Sequence, residues 1–235
     1  MEIIIYILIV SAITFIGSIY AKKYNSYDAL IGIYITFTIM TQILATKIAS
    51  FHIFDYTFTA PAAMIIFGVT FLITDIVNEK FGRYAVHKMI FIAFISQIIL
   101  ALFMYIGTTL DPAPFWEHQS NWESIFTLIP RIMFASWVTF IITENLDAYL
   151  YAKIREYTKG KHLWARNVFS TIPSLTLDTI IFISLAFYGT GLPLFELMIG
   201  QFVIKYLIGI INIPFMYANK FLLGDNTFYD KEYEK

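Results

Sequence analysis

The sequence predicts an all-α integral membrane protein, a single bundle of seven transmembrane helices. Three observations predict it. Hydrophobic residues make up 58% of the 235-residue chain and charged residues 14%, against about 45–50% and about 25% in soluble domains. Seven stretches stay apolar over the roughly 20 residues that a helix needs to cross the hydrocarbon core. Basic residues gather in alternate linkers, as they do when a multi-pass chain is oriented by its positive charges.

The same numbers exclude other classes. Disorder requires low hydrophobicity and high charge. The chain has no cysteine, so disulfides, thiolate metal sites and cysteine nucleophiles are excluded. A formal net charge of -1 gives no footing for a nucleic-acid partner. No stretch alternates polar and apolar residues strictly, which argues against a β-barrel. A helix satisfies its own backbone groups where lipid cannot.

The expected spans are Ile3–Tyr20, Ala29–Ile48, Thr59–Val77, Lys88–Gly107, Pro130–Tyr151, Val168–Tyr188 and Leu194–Tyr217. The first lacks the basic start and small-residue cleavage site of a signal peptide and reads as a true span. The first linker holds Lys22 and Lys23. The third holds Lys80, Arg83 and Lys88. The fifth holds Lys153, Arg155, Lys159, Lys161 and Arg166, and the tail holds Lys220, Lys231 and Lys235. The long fourth linker, Thr108–Ile129, has no Lys or Arg, and neither has the sixth. The expectation is an N-terminus outside and a C-terminus in the cytoplasm. The fourth linker is acidic and aromatic (Asp111, Trp116, Glu117, Trp122), and reads as a helix lying in the outer interface or as a lid over a binding cavity. Pro61, Pro130 and Pro193 suit the outer starts of helices. Pro173 and Pro214 fall inside spans and can bend them.

Within the spans, polar residues recur at helical spacing, so each set shares one face. The sixth span carries Ser170, Ser174 and Asp178, and the seventh carries Gln201, Lys205 and Asn212. The fifth has Ser136 and Glu144, with Thr139, Thr143 and Asp147 as a second row. Asp75 stands beside Thr74 in the third, ahead of Asn78 and Glu79. Thr38, Gln42 and Thr46 lead to Lys47 in the second. Facing lipid, these groups would go unsatisfied, so the stripes should face one another. Ser136, Thr139 and Thr171 also serve as packing glue in a plain structural reading. Lys47 and Arg131 lie near helix ends and can snorkel. Lys205 lies eleven residues into its span and needs a partner, Asp178 or Glu144. Ionisable groups at such depth usually mark a solute or ion pathway.

No phosphate-binding glycine loop, nucleophile elbow or HExxH spacing occurs. His52, His87, His118 and His162 fall at or near linkers without metal spacing. No filter-like loop suggests a channel. A carrier for a small polar solute is the reading that remains, with no cofactor and no metal.

Several motifs resemble one known family. ATKI at 45–48 precedes APAAMIIFGVTFLITDIVNEKFGRYAVHKMIF at 60–91, where Asp75, Glu79, Phe81 and Gly82 form an Asp-x-x-x-Glu-x-aromatic-Gly fingerprint. RIMFASWVTFIITENLDAYLYAKIR at 131–155 carries Arg131, Ala135, Ser136, Glu144 and Asp147. LWARNVFSTIPSLTLDTIIFISLAFYG at 163–189 carries Trp164, Arg166, Asn167, Ser170 and Asp178. QFVIKYLIGIINIPFMY at 201–217 carries Lys205 and Pro214. Together these resemble the queuosine precursor transporter family, also described as vitamin uptake transporters, over about residues 40–217 in the same order. The departures are an extra N-terminal span, since many members are read as having six, and Glu144, where Gln also occurs.

The resemblance implies one membrane transporter domain over 1–235. It comprises a family core of six helices at about 29–217, the extra N-terminal helix before it and a cytoplasmic tail at 218–235. It implies a multi-pass protein of the cell membrane, not an enzyme. The implied solute is 7-cyano-7-deazaguanine or 7-aminomethyl-7-deazaguanine, imported by alternating access. Glu144 or Asp178 would accept the N–H and NH2 of a guanine-like edge. Lys205, Gln201 or Asn167 would donate to the ring carbonyl, and Trp137 or Phe140 would stack on the base. Asp75, Ser170 and Arg131 complete the expected substrate-binding set. The rival readings are a substrate-binding membrane subunit that needs an external ATPase partner, and an intramembrane enzyme acting on lipid. The expected partners are the small-molecule base and membrane lipids, with no nucleic acid. The coupling ion and a homodimer are left open.

Overall fold

The protein is described by a computed structural model covering residues 2–53, 55–157 and 163–223. In chain order the elements are α1 (Glu2–Tyr24), α2 (Asp28–Leu44), β1 (Ile48–Ile53), β2 (Tyr56–Pro61), α3 (Met64–Thr109), α4 (Gln119–Phe126), α5 (Ile129–Tyr157), α6 (Leu163–Phe187) and α7 (Leu194–Leu223). Two helical rods make up α3. Gly82 divides them with φ 80 and ψ 173, a conformation that essentially only glycine adopts without strain. The third and fourth apolar stretches are therefore joined by a one-residue break inside helix, not by an open linker.

Among the described residues, Tyr84–Thr109, Gln119–Thr143 and Leu194–Ile211 are long and apolar enough to cross a membrane. Shorter apolar helices cover Asp28–Leu44, Met64–Asn78 and Ile172–Phe187. Large side chains such as Phe91, Phe103, Tyr105, Phe134 and Ile141 point out of the bundle. An apolar band of that extent is what lipid covers.

The all-α expectation needs one correction. Residues 45–48 and 59–63 were expected as helix, yet a two-stranded antiparallel hairpin occupies 48–61. Phe51 pairs with Phe58, Ser50 with Thr59 and Ile48 with Pro61. The physical reason is local. β2 alternates aromatic and β-branched residues, Tyr56, Thr57, Phe58 and Thr59, which suits a strand, and Pro61 can close it because it donates no ladder hydrogen bond. Pro61 therefore ends β2 rather than starting a helix. Strand backbone is tolerated beside lipid only where protein covers it. Here Ala60, Pro61, Ala62 and Ala63 are buried, and the Ala62 N–H donates to the Lys47 carbonyl at 2.8 Å. Gly200 of α7 makes the contact possible: a Cβ there would lie 1.9 Å from the Thr59 carbonyl oxygen.

The fourth linker contains only the short helix α4, none of whose residues is buried. Trp122 packs on Phe126, ring centroids 4.2 Å apart. Pro173 and Pro214 lie inside α6 and α7 as expected. The Pro193 carbonyl accepts from Leu197 in the first turn of α7.

Two apolar cores frame the interior. One packs α1, α2 and α3 around Leu30, Tyr34, Val69, Ile73 and Met89. The other packs the hairpin, α5, α6 and α7 around Ala60, Ile132, Ile183, Phe187 and Ile204. Between them lies the polar interior.

Candidate functional site

Polar residues of four helices, α2, α5, α6 and α7, converge on one cavity, and α3 adds an apolar wall. Its walls come from Thr41, Gln42 and Ala45 at the end of α2, and from Ala63, Met64, Phe67 and Phe71 at the start of α3. Ser136, Thr139, Phe140 and Thr143 of α5, Asp178 and Phe182 of α6, and Gln201 and Lys205 of α7 complete them. The α7 pair shares a face because the two residues are four apart. The α5 set follows the same periodicity. The cavity volume is about 50 Å³, room for roughly four waters at about 10–15 Å³ each.

Asp178 and Lys205 are buried and form an ion pair between Nζ and Oδ2. The Lys205 ammonium also stands over the Phe67 ring, 4.5 Å from its centroid, where the π face attracts a cation. Phe71 meets Phe67 edge-on at 5.0 Å. One residue beyond Lys205, the Tyr206 hydroxyl donates to the Ile172 carbonyl at 3.1 Å, just before Pro173. Two links thus tie α7 to α6, one on each side of the Pro173 position.

Two hydroxyls on the α5 wall, those of Thr139 and Thr143, are turned to their own helix. Thr139 donates to the Ala135 carbonyl at 2.6 Å and Thr143 to the Thr139 carbonyl at 2.9 Å. On the α2 wall, Gln42 Nε2 donates to Gln97 Oε1 at 3.0 Å. Trp137 Nε1 donates to the same oxygen at 2.9 Å. Gln201 differs from all of these. Its side chain is fully buried, and among the described residues neither Nε2 nor Oε1 has a hydrogen-bond partner.

Of the residues expected at the site, Asp178, Lys205 and Gln201 come together here, with Phe140 as an aromatic wall. The side chains of Asp75, Glu144, Asn167 and Ser170 lie outside the described part of the structure, as do those of Asp147 and Asn212. Trp137 does not line the cavity. Its indole bonds Gln97 and its ring packs on Phe94, centroids 4.8 Å apart. Arg131 is elsewhere too: Nε donates to the Leu185 carbonyl at 2.9 Å and a terminal nitrogen donates to the Tyr188 carbonyl. It caps the C-terminal end of α6, where carbonyls lack helical partners. No residue of α4 lines the cavity. Phe67, Phe71 and Gln97 were not foreseen. Phe67 and Phe71 are four apart on one face and eight and four before Asp75, and Gln97 is a lone amide in an apolar stretch. No group of three or more metal-ligating side chains occurs among the described residues.

A sequence model of the family described as "Putative vitamin uptake transporter" matches residues 61–219. The chain is also similar to the "Probable queuosine precursor transporter" of Bacillus subtilis (strain 168). The two are 31% identical over 171 residues, which is 72% of this chain and 75% of that protein. No solved structure matches the chain.

Proposed function

The chain belongs to the vitamin uptake transporter family, a group of multi-pass proteins of the cell membrane, and from that premise we propose that it imports a queuosine-precursor base. The solute is 7-cyano-7-deazaguanine or 7-aminomethyl-7-deazaguanine, carried by alternating access. The printed name of the Bacillus relative supports the solute class. The buried Asp178–Lys205 pair on the wall of an interior cavity carries the reading. Such a pair is costly in a membrane interior and is kept where a pathway needs it.

In this reading Asp178 accepts donors of the guanine-like edge, and the aromatic walls Phe67, Phe140 and Phe182 sandwich the flat ring. Glu144, Asp75, Asn167 and Ser170 join from α5, α3 and α6. The N-terminus lies outside and the C-terminus in the cytoplasm, in line with the basic linkers.

The test is uptake of labelled 7-cyano-7-deazaguanine into liposomes holding only this chain. Accumulation is expected, and Asp178→Asn or Lys205→Met should abolish it while the protein stays folded. Uptake at the wild-type rate in both folded variants would remove the pair from the pathway. Binding without uptake would instead favour a subunit that depends on an external ATPase.

A further inference from the structure

We propose that Gln201 is the specificity-determining residue of this cavity, reading a lactam edge, a ring N–H beside a ring carbonyl, through both ends of its carboxamide. The inference rests on the functional reading above and specifies which part of the solute is recognised.

Most polar groups on the wall already have partners. The Lys205 ammonium is held by Asp178 and lies over Phe67. The Thr139 and Thr143 hydroxyls donate to carbonyls of α5. The Gln42 amide nitrogen donates to Gln97. Gln201 is on the same wall, fully buried, with a donor and an acceptor both unpartnered. Buried polar groups are nearly always paired, and the exceptions call for a reason. A ligand that arrives with matching groups supplies one.

A carboxamide presents a donor and an acceptor side by side in one plane. Its complement is a flat edge with an acceptor beside a donor. A lactam is such an edge: Nε2 donates to the ring carbonyl, and Oε1 accepts from the ring N–H. An amide alone could rotate and read the reverse order, as an adenine-like edge offers. Asp178, on the adjoining helix and the same cavity, breaks that ambivalence because a carboxylate only accepts. With Oε1 turned towards Asp178, the two side chains offer donor, acceptor, acceptor. A 2-amino lactam gives acceptor, donor, donor and matches at all three positions. An adenine-like edge leaves Asp178 facing a C–H.

The experiment measures binding to the purified full-length protein by calorimetry. The ligands are 7-cyano-7-deazaguanine, its analogue lacking the 2-amino group, and its O-methylated analogue, whose ring nitrogen carries no hydrogen. Wild-type protein should bind the second about 10-fold and the third about 100-fold more weakly than the first, since a buried site rejects a ligand that leaves its polar groups unpaired. Gln201→Met should weaken 7-cyano-7-deazaguanine by about 10- to 100-fold and erase the discrimination against the O-methylated analogue. Gln201→Glu keeps the shape but sets two acceptors against the ring carbonyl, so it should lose at least as much. This variant decides the matter should the Met protein fail to fold. Wild-type affinity and discrimination in either folded variant would overturn the assignment alone, as would equal binding of lactam and O-methylated ligands by wild type. Failure of wild type to bind any of the three would overturn the functional reading with it.

Discussion

Two polar junctions flank the cavity, and they are built from opposite materials. On one side α6 and α7 are joined by a full charge pair, Asp178 and Lys205, both buried. On the other side α2, the second rod of α3 and α5 are joined by neutral groups, with Gln97 Oε1 accepting from Gln42 and Trp137. Either junction fixes helices around the same hollow. They differ in what happens when one partner is lost. A buried charge without its partner cannot be re-solvated in a membrane interior, whereas an amide or indole N–H can find a hydroxyl or a carbonyl nearby. The charged seam is therefore a rigid boundary, and the neutral one can be remade as helices move.

The sharpest break of that comparison is at the charged seam. Asp178→Ala or Lys205→Ala should cost about 3–5 kcal/mol, because each leaves its partner buried and uncompensated. Denaturant unfolding in detergent micelles would read the loss. The double variant Asp178→Leu with Lys205→Met should recover most of that stability and still not transport. Single variants as stable as wild type would mean that the pair does not restrain α6 against α7.

Next in size is the seat of the hairpin. Gly200→Ala places a methyl group where the Thr59 carbonyl now sits, and backbone cannot step aside as a side-chain tip can. Overpacking of this kind costs about 1–3 kcal/mol. Gly17→Ala provides the control. Its Cβ would meet the ends of the Ile33 and Leu30 side chains at 2.7 and 2.8 Å, which can rotate away. Thermal unfolding of the two variants should separate them, and equal losses would mean that the hairpin is not seated through Gly200.

These regions also differ in how much of them could be read from sequence. The charged seam was legible, because a lysine eleven residues into an apolar stretch has few alternatives and helical spacing put Gln201 beside it. The hairpin was not. Length alone recommends a helix through residues 45–48 and 59–63, and the alternation in β2 and the proline ending it are weaker signals than overall greasiness. The Gln97 junction was hidden for another reason: its partners lie 55 and 40 residues away, so no local period reveals it. Trp137 shows the limit of helical phase. Ser136, Thr139, Phe140 and Thr143 line the cavity, and one residue beyond Ser136 is about 100° further round the helix. That step carries Trp137 to Gln97.

The neutral junction should break more gently. Gln97→Leu removes the acceptor used by Gln42 and Trp137, at a cost of about 0.5–2 kcal/mol. The same helices should then show faster amide exchange without global unfolding. A loss as large as that of Asp178→Ala would erase the distinction between the two junctions.

The smallest effect on folding should come from the amide that has no partner. Gln201 is buried, like Gln97, but Gln201→Met removes no hydrogen bond among the described residues. Without ligand it should be neutral or stabilising by up to about 1 kcal/mol, since it deletes an unsatisfied buried amide. Two glutamines in one bundle would then respond with opposite signs, one holding helices together and the other held in readiness for a solute. Unfolding of both variants with and without 7-cyano-7-deazaguanine reads the contrast directly. The ligand should raise the melting temperature of Gln97→Leu and leave that of Gln201→Met nearly unchanged, because only binding to the folded state shifts the transition. A destabilised Gln201→Met in the absence of ligand would mean that its amide is engaged in packing the fold, and the contrast between the two residues would be lost.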